Sequence, residues 1–193
     1  MDLNPKRIRI YSRRGDLGET SLLYGPRVGK DHRRIELLGA LDELSAHLGF
    51  VRALEIDSDV NENLKLVQRF VYVAGREVAS IAPTKLEIRR LSESDITTIE
   101  GLIDLWDAKA PPVRAFVLPS GRLPAVSLHV ARTICRRAER RACALLRCDS
   151  SFSPRVGAWL NRVGDLLFVL ARFENYRLGI SDEMAFDGSD NCS

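Results

Sequence analysis

Residues 34–54 read RIELLGALDELSAHLGFVRAL, and the spacing of their apolar side chains decides the fold. The apolar positions recur at alternating steps of four and three residues, at Leu37, Leu41, Leu44, Leu48 and Val51. That spacing aligns them along one stripe of an α-helix, as in a helix that buries a single face. The segment therefore predicts an amphipathic helix whose packing partners come from the rest of the chain.

Four more helices are predicted downstream. Pro83 is placed to end the second helix, and Ser92 with Asp95 has the signature of a capping box at the start of the third. The five predicted helices cover about residues 34–54, 58–82, 92–110, 124–146 and 153–177. Long helices, short connections and no convincing alternating strand predict an all-α fold, an antiparallel five-helix bundle with an extended N-terminal loop and a ferritin-like up-and-down architecture.

The length of 193 residues and the hydrophobic content of 45% favour one domain with a single core. Residues 1–33, rich in Gly, Arg and Ser, are interpreted as a loop of that domain. Residues 34–178 form the predicted bundle, and residues 179–193 are polar, so we expect a mobile tail.

Charge and apolar runs exclude several classes of protein. Lys and Arg number 29 against 26 Asp and Glu, an excess too small to argue for nucleic acid or a membrane surface. No apolar run approaches the roughly 20 residues that span a bilayer, and the N-terminus has no signal-peptide pattern. We therefore expect a soluble, cytoplasmic protein.

Cysteine and histidine spacing argues against a metal site built by the protein. The four cysteines form no C-x-x-C pair, and the three histidines are far apart in the sequence. Cys135 and Cys143 fall within the fourth predicted helix, where we interpret both as reduced core thiols.

The fourth helix contains the densest charge in the chain, ARTICRRAERRA at residues 131–142. At 100° per residue, one stripe of this helix collects Arg132, Arg136, Glu139 and Arg140. A solvated surface with ion pairs along the helix is the ordinary explanation. Three arginines to one glutamate also leave positive charge over, which suits a polyphosphate because guanidinium groups bind its oxygens in bidentate fashion.

Three polar positions lie beside apolar stripes. Asn161 and Asp165 are four residues apart in the fifth helix, and Asp42 lies beside the leucine stripe of the first. They either pair with arginines of neighbouring helices or form part of a site. The N-terminal loop, with its glycines, hydroxyls and Lys30, is able to wrap an anion, although it lacks the P-loop pattern and is equally consistent with a disordered basic arm.

Six segments occur in an order that resembles the PduO-type ATP:cob(I)alamin adenosyltransferases, from about residue 8 to residue 175. They are YSRRGDLGET (11–20), RVGKD (27–31), GALDEL (39–44), FVLPSG (116–121), LHVARTICRRAER (128–140) and LNRVGDLLFVLAR (160–172). The last two are long enough to be highly specific. The resemblance implies homotrimers of five-helix subunits that bind ATP and a corrinoid between subunits.

The resemblance also implies roles for individual residues. The ATP phosphates are expected to contact one subunit through Ser12, Arg13, Arg14, Gly15, Thr20, Ser21 and Lys30. The neighbouring subunit is expected to supply Arg136, Arg137, Glu139, Arg140 and Asn161. Arg132 matches the arginine that pairs across the interface with Asp42, and Phe116 matches the aromatic that displaces the lower axial ligand of cobalamin. Arg132, Arg136, Phe116 and Asp42 are the predicted catalytic residues.

The implied reaction explains the absence of a catalytic triad from the sequence. Cobalt(I) of the corrinoid attacks C5′ of ATP and forms adenosylcobalamin, and the whole triphosphate leaves. Lys30, a Mg²⁺ ion and the arginines of helix four are expected to spread the charge of that leaving group. A cob(II)alamin reductase or a B12-dependent enzyme is an expected partner; nucleic acid and membrane are not.

Three alternatives stay open on the sequence. Ser12, Arg14 and Glu19 depart from the family pattern in the loop, so a corrinoid- or ATP-binding relative with weak or no transferase activity is one of them. A nucleic-acid-binding protein is another, although no aromatic platform accompanies the arginines. A purely structural helical trimer is the third.

Overall fold

The computed structural model describes residues 10–81, 87–113 and 115–186. Its five helices are α1 (Arg33–Arg52), α2 (Ser58–Ala79), α3 (Glu93–Asp107), α4 (Leu123–Leu146) and α5 (Arg155–Tyr176). The predicted helices therefore exist, with ends that differ by up to three residues. Pro83, the predicted stop of the second helix, lies outside the described residues, and α2 already ends at Ala79.

Side-chain caps fix the starts of three helices. The Ser92 hydroxyl accepts from the amide of Asp95, whose carboxylate accepts from the amide of Ser92, so the predicted capping box is confirmed. Asp57 caps α2, and Nδ1 of His32 caps α1. Because a cap satisfies amides that have no partner within the helix, each of these helices begins at a defined residue.

Contacts between helices give their relative directions. Arg33, at the start of α1, donates to the carbonyl of Ala144 at the end of α4 (3.2 Å), so these two helices run antiparallel. Arg155 pairs with Glu93 and Arg162 with Glu100, which makes α3 and α5 parallel neighbours. Helix direction thus alternates along the chain, and the predicted up-and-down five-helix bundle is confirmed.

The core follows the apolar stripes. All five stripe residues of α1 are at most 2% exposed. Trp159 packs against Phe70 at 6.1 Å between ring centroids, and Trp106 against Phe173 at 4.5 Å. Cys135 is buried as predicted, and burial raises the pKa of its thiol, whereas the prediction for Cys143 is wrong because this side chain is exposed at the edge of α4.

The N-terminal loop contains a short hairpin that the sequence did not indicate. Strands β1 (Glu19–Ser21) and β2 (Arg27–Gly29) pair antiparallel, with Thr20 opposite Val28. Strands of three residues are too short for an alternating pattern to be read. The hairpin rests on the end of α2, where the amide of Leu23 donates to the carbonyl of Ala79 (2.9 Å).

Part of the predicted mobile tail has defined partners. Residues 183–185 run beside residues 116–118: the amide of Leu118 donates to Glu183 and that of Ala185 to Phe116, both at 2.8 Å. Residues 187–193, including Cys192, lie outside the described residues. The division of the chain into loop, bundle and tail stays a prediction.

Candidate functional site

With the exception of Arg137 and Phe116, the predicted site residues fall on two surfaces of the chain. One surface is the hairpin with the neighbouring groove between α1 and α2, and the other is the outer face of α4 beside α5. Within the described ranges, no hydrogen bond or ion pair joins the hairpin to Arg132, Arg136 or Arg140. In a single chain the predicted phosphate-binding residues therefore form two groups that do not contact each other within the described residues.

On the hairpin, Gly15 and Lys30 lie together. A Cβ on Gly15 would lie 3.4 Å from Nζ of Lys30 and 3.2 Å from the carbonyl oxygen of Glu19, so the absence of a side chain lets the ammonium lie against the loop backbone. The amide of Lys30 also donates to Gly18 (2.8 Å). The side chain of Lys30 is therefore anchored against the loop while its ammonium group stays exposed.

The rest of the loop is open to solvent. The hydroxyl of Ser12 accepts from the amide of Arg14 (3.4 Å), and Arg13 has a left-handed backbone with φ of 59°. Thr20 is half-buried and Ser21 exposed on β1. Donors of this loop are therefore accessible to an anion from solvent.

Glu19, one of the departures from the family pattern, is held within the hairpin. Its carboxylate accepts from Nε of Arg27 at 3.1 Å, and Nη2 of Arg27 donates to the carbonyl of Arg14 at 2.8 Å. Arg27 thus joins β2 to both β1 and the preceding turn. Glu19 therefore has a structural partner, although it departs from the family pattern.

We use the name arginine stripe for Arg132, Arg136 and Arg140 on the outer face of α4. Arg136 is 46% exposed, and its Nη1 lies 3.9 Å from Glu139, too far for a hydrogen bond. Arg140 is exposed and has no ion pair among the described residues. The stripe therefore retains positive charge that a solvated face with matched pairs would not have.

Arg132 is the most constrained arginine of the stripe. Its Nε is buried and has no hydrogen-bond partner within the described part of the chain. Burial, reinforced by the nearby charge of Arg136, lowers the pKa of Arg132. Burial likewise lowers the pKa of His129, one turn earlier, to about 4, so this ring is neutral near pH 7. An unpaired buried donor beside a second cation favours an acceptor from outside the chain.

Glu139 and Asn161 connect α4 to α5. The amide of Asn161 donates to Oε1 of Glu139 at 3.0 Å, and its Oδ1 accepts from Arg162 at 2.7 Å. The structure therefore places both residues together at the edge of the stripe. Asp165 is exposed on the outer side of α5 and forms no ion pair with an arginine among the described residues.

Arg137 and Asp42 take different positions from the stripe. Arg137 forms an ion pair with Glu43 of α1, so within this chain it links two helices and does not face the same side as Arg136. Asp42 is exposed and lies in the groove between α1 and α2, with Leu38 and Arg76 among its neighbours. It forms no ion pair with Arg132 in the described structure of one chain.

Phe116 is 80% exposed, in the connection between α3 and α4. Its backbone is held by the pairing with residues 183–185, yet its ring has little packing. An exposure of 80% argues against a ring that only packs to seal the end of the bundle. The ring is therefore accessible to a molecule outside the chain.

Sequence reasoning assigned no role to two fully buried arginines, Arg34 and Arg172, which are 1% and 2% exposed. Arg172 pairs with Asp182 at 2.8 Å, which ties α5 to the segment after it. Arg34 stands three residues before Leu37 and so continues the buried stripe of α1. That spacing was the signal that could have identified Arg34 as a core residue.

Comparisons with known proteins identify the family to which this chain is similar. The family model described as cobalamin adenosyltransferase matches residues 10–174. A corrinoid adenosyltransferase of Citrobacter freundii is 39% identical over 168 residues, covering 86% of this chain and 94% of the relative. One of Bacillus subtilis is 36% identical over 180 residues, covering 91% of each.

Solved structures give the same relationship. A variant PduO-type ATP:corrinoid adenosyltransferase from Lactobacillus reuteri, complexed with cobalamin and ATP, superposes with a TM-score of 0.87 at 30% identity. The match covers 94% of this chain and 99% of that one. Both the helices and the loop preceding them therefore have counterparts in a protein seen with both ligands.

Proposed function

The chain belongs to the cobalamin adenosyltransferase family, and from that premise we propose that it transfers the 5′-deoxyadenosyl group of ATP to the cobalt of cob(I)alamin and releases triphosphate. The observation that carries the proposal is the uncompensated charge of the arginine stripe. Displacement at C5′ expels a highly charged leaving group, and guanidinium groups are suited to hold one.

We propose that two copies of the chain complete each site, in a homotrimer. Within the described chain no hydrogen bond or ion pair joins the hairpin to the arginine stripe, which supports a triphosphate held between two subunits. Asp42 and Arg132 each lack an ion-pair partner within the described chain, and their charges are opposite. A pair across the interface would satisfy both.

In this arrangement the hairpin contributes Lys30 and the donors of residues 12–15, 20 and 21 to the phosphates. The next subunit contributes Arg136 and Arg140, with Glu139 and Asn161 fixing the edge of the cleft. Arg137, held by Glu43 in the single chain, contributes charge at longer range unless that exposed pair opens. Holding both substrates in line supplies much of the rate.

A Mg²⁺ ion fits the loop as a companion of the triphosphate. The described residues contain no group of three or more His, Cys, Asp or Glu side chains able to hold a metal alone. Mg²⁺ in nucleotide sites needs few protein ligands because phosphates and water supply the rest. The hydroxyls of Thr20 and Ser21 are the oxygens we propose as its protein contacts, and the ion would neutralise leaving-group charge.

Phe116 is proposed to act on the corrinoid. Its exposed ring would occupy the lower face of the corrin and displace the axial base, which leaves four-coordinate cobalt(II) that is easier to reduce to the nucleophilic cobalt(I). Electrons would come from a cob(II)alamin reductase, and the product would serve a B12-dependent enzyme.

No helix among the described residues is long and apolar enough to cross a membrane. We propose a cytoplasmic location, where exposed Cys143 and Cys148 stay reduced.

The deciding experiment is Co–C bond formation with ATP and reduced cobalamin under anaerobic conditions, followed by absorbance. We expect adenosylcobalamin and triphosphate in equal amounts. Binding of ATP and cobalamin without turnover would favour the alternative of a binding relative.

A further inference from the structure

Arg34 joins three segments of the chain from within the core. Its Nη1 donates to the carbonyls of Val78 (2.7 Å) and Ser80 (3.0 Å) at the end of α2. Its Nε and Nη2 donate to Oδ2 of Asp149, at 3.1 and 2.6 Å, in the connection between α4 and α5. The start of α1, the end of α2 and that connection are therefore held by one guanidinium.

Asp149 is itself fixed in place. The hydroxyl of Ser151 donates to its Oδ1 at 2.6 Å, and the amide of the same residue donates at 3.0 Å. Oδ2 is left for Arg34. This carboxylate therefore sets the orientation of the guanidinium, and with it the direction of the donors that reach the end of α2.

The same backbone that Arg34 holds also supports the hairpin. The amide of Leu23 donates to Ala79, between the two carbonyls that Arg34 binds, and Leu23 forms a β-bridge with Ser80. At its other end the hairpin runs through residues 30–32 directly into α1. The hairpin thus has two attachment points, and Arg34 fixes the distance between them.

We propose that Arg34, oriented by Asp149, is a positioning residue for the nucleotide-binding hairpin. It holds the end of α2 against the start of α1, and so sets where Lys30 and Thr20 meet the triphosphate. The inference rests on the proposed function for the identity of the ligand. Arg34 would contact neither substrate, yet its loss would weaken the binding of ATP.

A residue that only stabilises the fold would act differently. Loss of stability lowers the fraction of active enzyme, so kcat falls while the KM values of both substrates stay the same. A shifted hairpin changes the contacts of one substrate only. The two roles are therefore separated by whether the KM for ATP moves apart from the KM for cobalamin.

The test uses the full-length enzyme with Asp149→Asn, which keeps the shape of the side chain and removes its charge. We expect the KM for ATP and the calorimetric Kd for ATP to rise about tenfold, which corresponds to about 1.4 kcal/mol. The KM for cobalamin and kcat at saturating ATP should stay within about twofold. Arg34→Lys should raise the KM and Kd for ATP in the same way, because an ammonium group cannot bridge both carbonyls and the carboxylate.

Glu93→Gln is the matched control, since it removes an exposed carboxylate that pairs with Arg155 at the same end of the bundle. Its KM for ATP should not change. An unchanged Kd for ATP in folded Asp149→Asn, or a fall in kcat alone, would overturn the inference. If Arg34→Lys does not fold, Asp149→Asn and Ser151→Ala decide the matter.

The outcomes also separate this inference from the proposed function. Wild-type protein that binds ATP without forming a Co–C bond would reject transferase activity, while the Kd comparison would still decide the role of Arg34. Wild-type protein that does not bind ATP would overturn both.

Discussion

The two ends of the bundle each contain a buried arginine that holds a loop, but the two arginines have different partners. At the hairpin end, Arg34 donates to carbonyls at a helix terminus and to a carboxylate that is itself fixed. At the tail end, Arg172 donates to Asp182 and to the carbonyl of Pro111, both outside helices. Its Nη1 lies 3.5 Å from Asp107 and forms no hydrogen bond in the described structure.

Because of this difference, the loop at the hairpin end is attached more rigidly than the loop at the tail end. The hairpin is attached to two helix ends, whereas the Phe116 segment is attached to residues 183–185, which belong to no helix. Segments with few buried contacts open more easily than helices in the core. We therefore expect the nucleotide surface to be preformed and the corrinoid surface to be the more adaptable one. The following predictions test whether the two ends act separately.

The largest expected effect is at the tail end. Phe116→Ala should keep its melting temperature and its Kd for ATP, because an exposed side chain contributes within about 0.5 kcal/mol to stability. The variant should lose the four-coordinate spectrum of bound cobalt(II) and most turnover from that state. Absorbance and magnetic circular dichroism of the bound corrinoid provide the measurement.

Leu105→Ala, on the exposed side of α3, is the control for loss of an apolar side chain, and it should change neither quantity. Retention of the four-coordinate spectrum in Phe116→Ala would refute the role of that ring. Weaker ATP binding in the same variant would show that the two ends are coupled.

Asp42→Ala should affect both ends equally, because we propose that it acts through assembly. Removing one partner of a buried ion pair costs about 3–5 kcal/mol, since the other charge is left without compensation. Sedimentation should show a weakened trimer, and both KM values should rise at low protein concentration. Glu43→Gln provides the control: it removes the adjacent carboxylate, which pairs with Arg137 inside the chain, and should cost at most about 1 kcal/mol. Unchanged sedimentation and turnover in Asp42→Ala would reject the pair with Arg132.

Lys30→Ala and Arg136→Ala should weaken the binding of ATP and leave the binding of cobalamin unchanged. A hydrogen bond to a charged group contributes about 1.5–3 kcal/mol, so each variant should raise the Kd for ATP by about 10- to 150-fold. Calorimetry with ATP measures this, and circular dichroism should show unchanged helix content. Lys65→Ala, which removes an exposed cation of α2, is the control. Normal ATP binding by both variants would show that the site assignment is wrong.

The sequence predicted the bundle well because its stripes and caps are local patterns. Leu37 to Val51 repeat with the helical period, and Ser92 with Asp95 forms a capping box, so neither prediction required knowledge of distant contacts. The hairpin and the pairing of residues 116–118 with 183–185 were not predicted. Both consist of backbone hydrogen bonds between short segments, which leave little trace in side-chain periodicity.

The site was predicted less completely than the fold. Asn161 and Glu139 were assigned to the same ligand by the resemblance, and their hydrogen bond forms because α4 and α5 are neighbours. Arg137 was assigned with Arg136 since both follow one motif, yet a rotation of about 100° per residue turns it toward Glu43. The role of Arg34 depends on Asp149, 115 positions later, and a contact at that distance cannot be read from local spacing.

The smallest expected effect concerns acid stability at the hairpin end. The Ser151 hydroxyl, together with the hydrogen bonds from Arg34, holds the pKa of Asp149 below its usual value. A carboxyl group with a lower pKa in the folded state stabilises the fold above its unfolded pKa of about 3.9, and this contribution disappears as the pH falls through the folded pKa. Asp149→Asn should therefore be less stable than wild type at pH 7, and the difference should narrow as the pH falls below about 4. Urea unfolding at pH 7 and at a pH below about 4 measures this difference in stability. Glu93→Gln, which removes an exposed ion pair, should stay within about 1 kcal/mol of wild type at each pH. A difference for Asp149→Asn that is the same at both pH values would mean that it does not come from the charge of Asp149, and that this charge does not hold Arg34 in place.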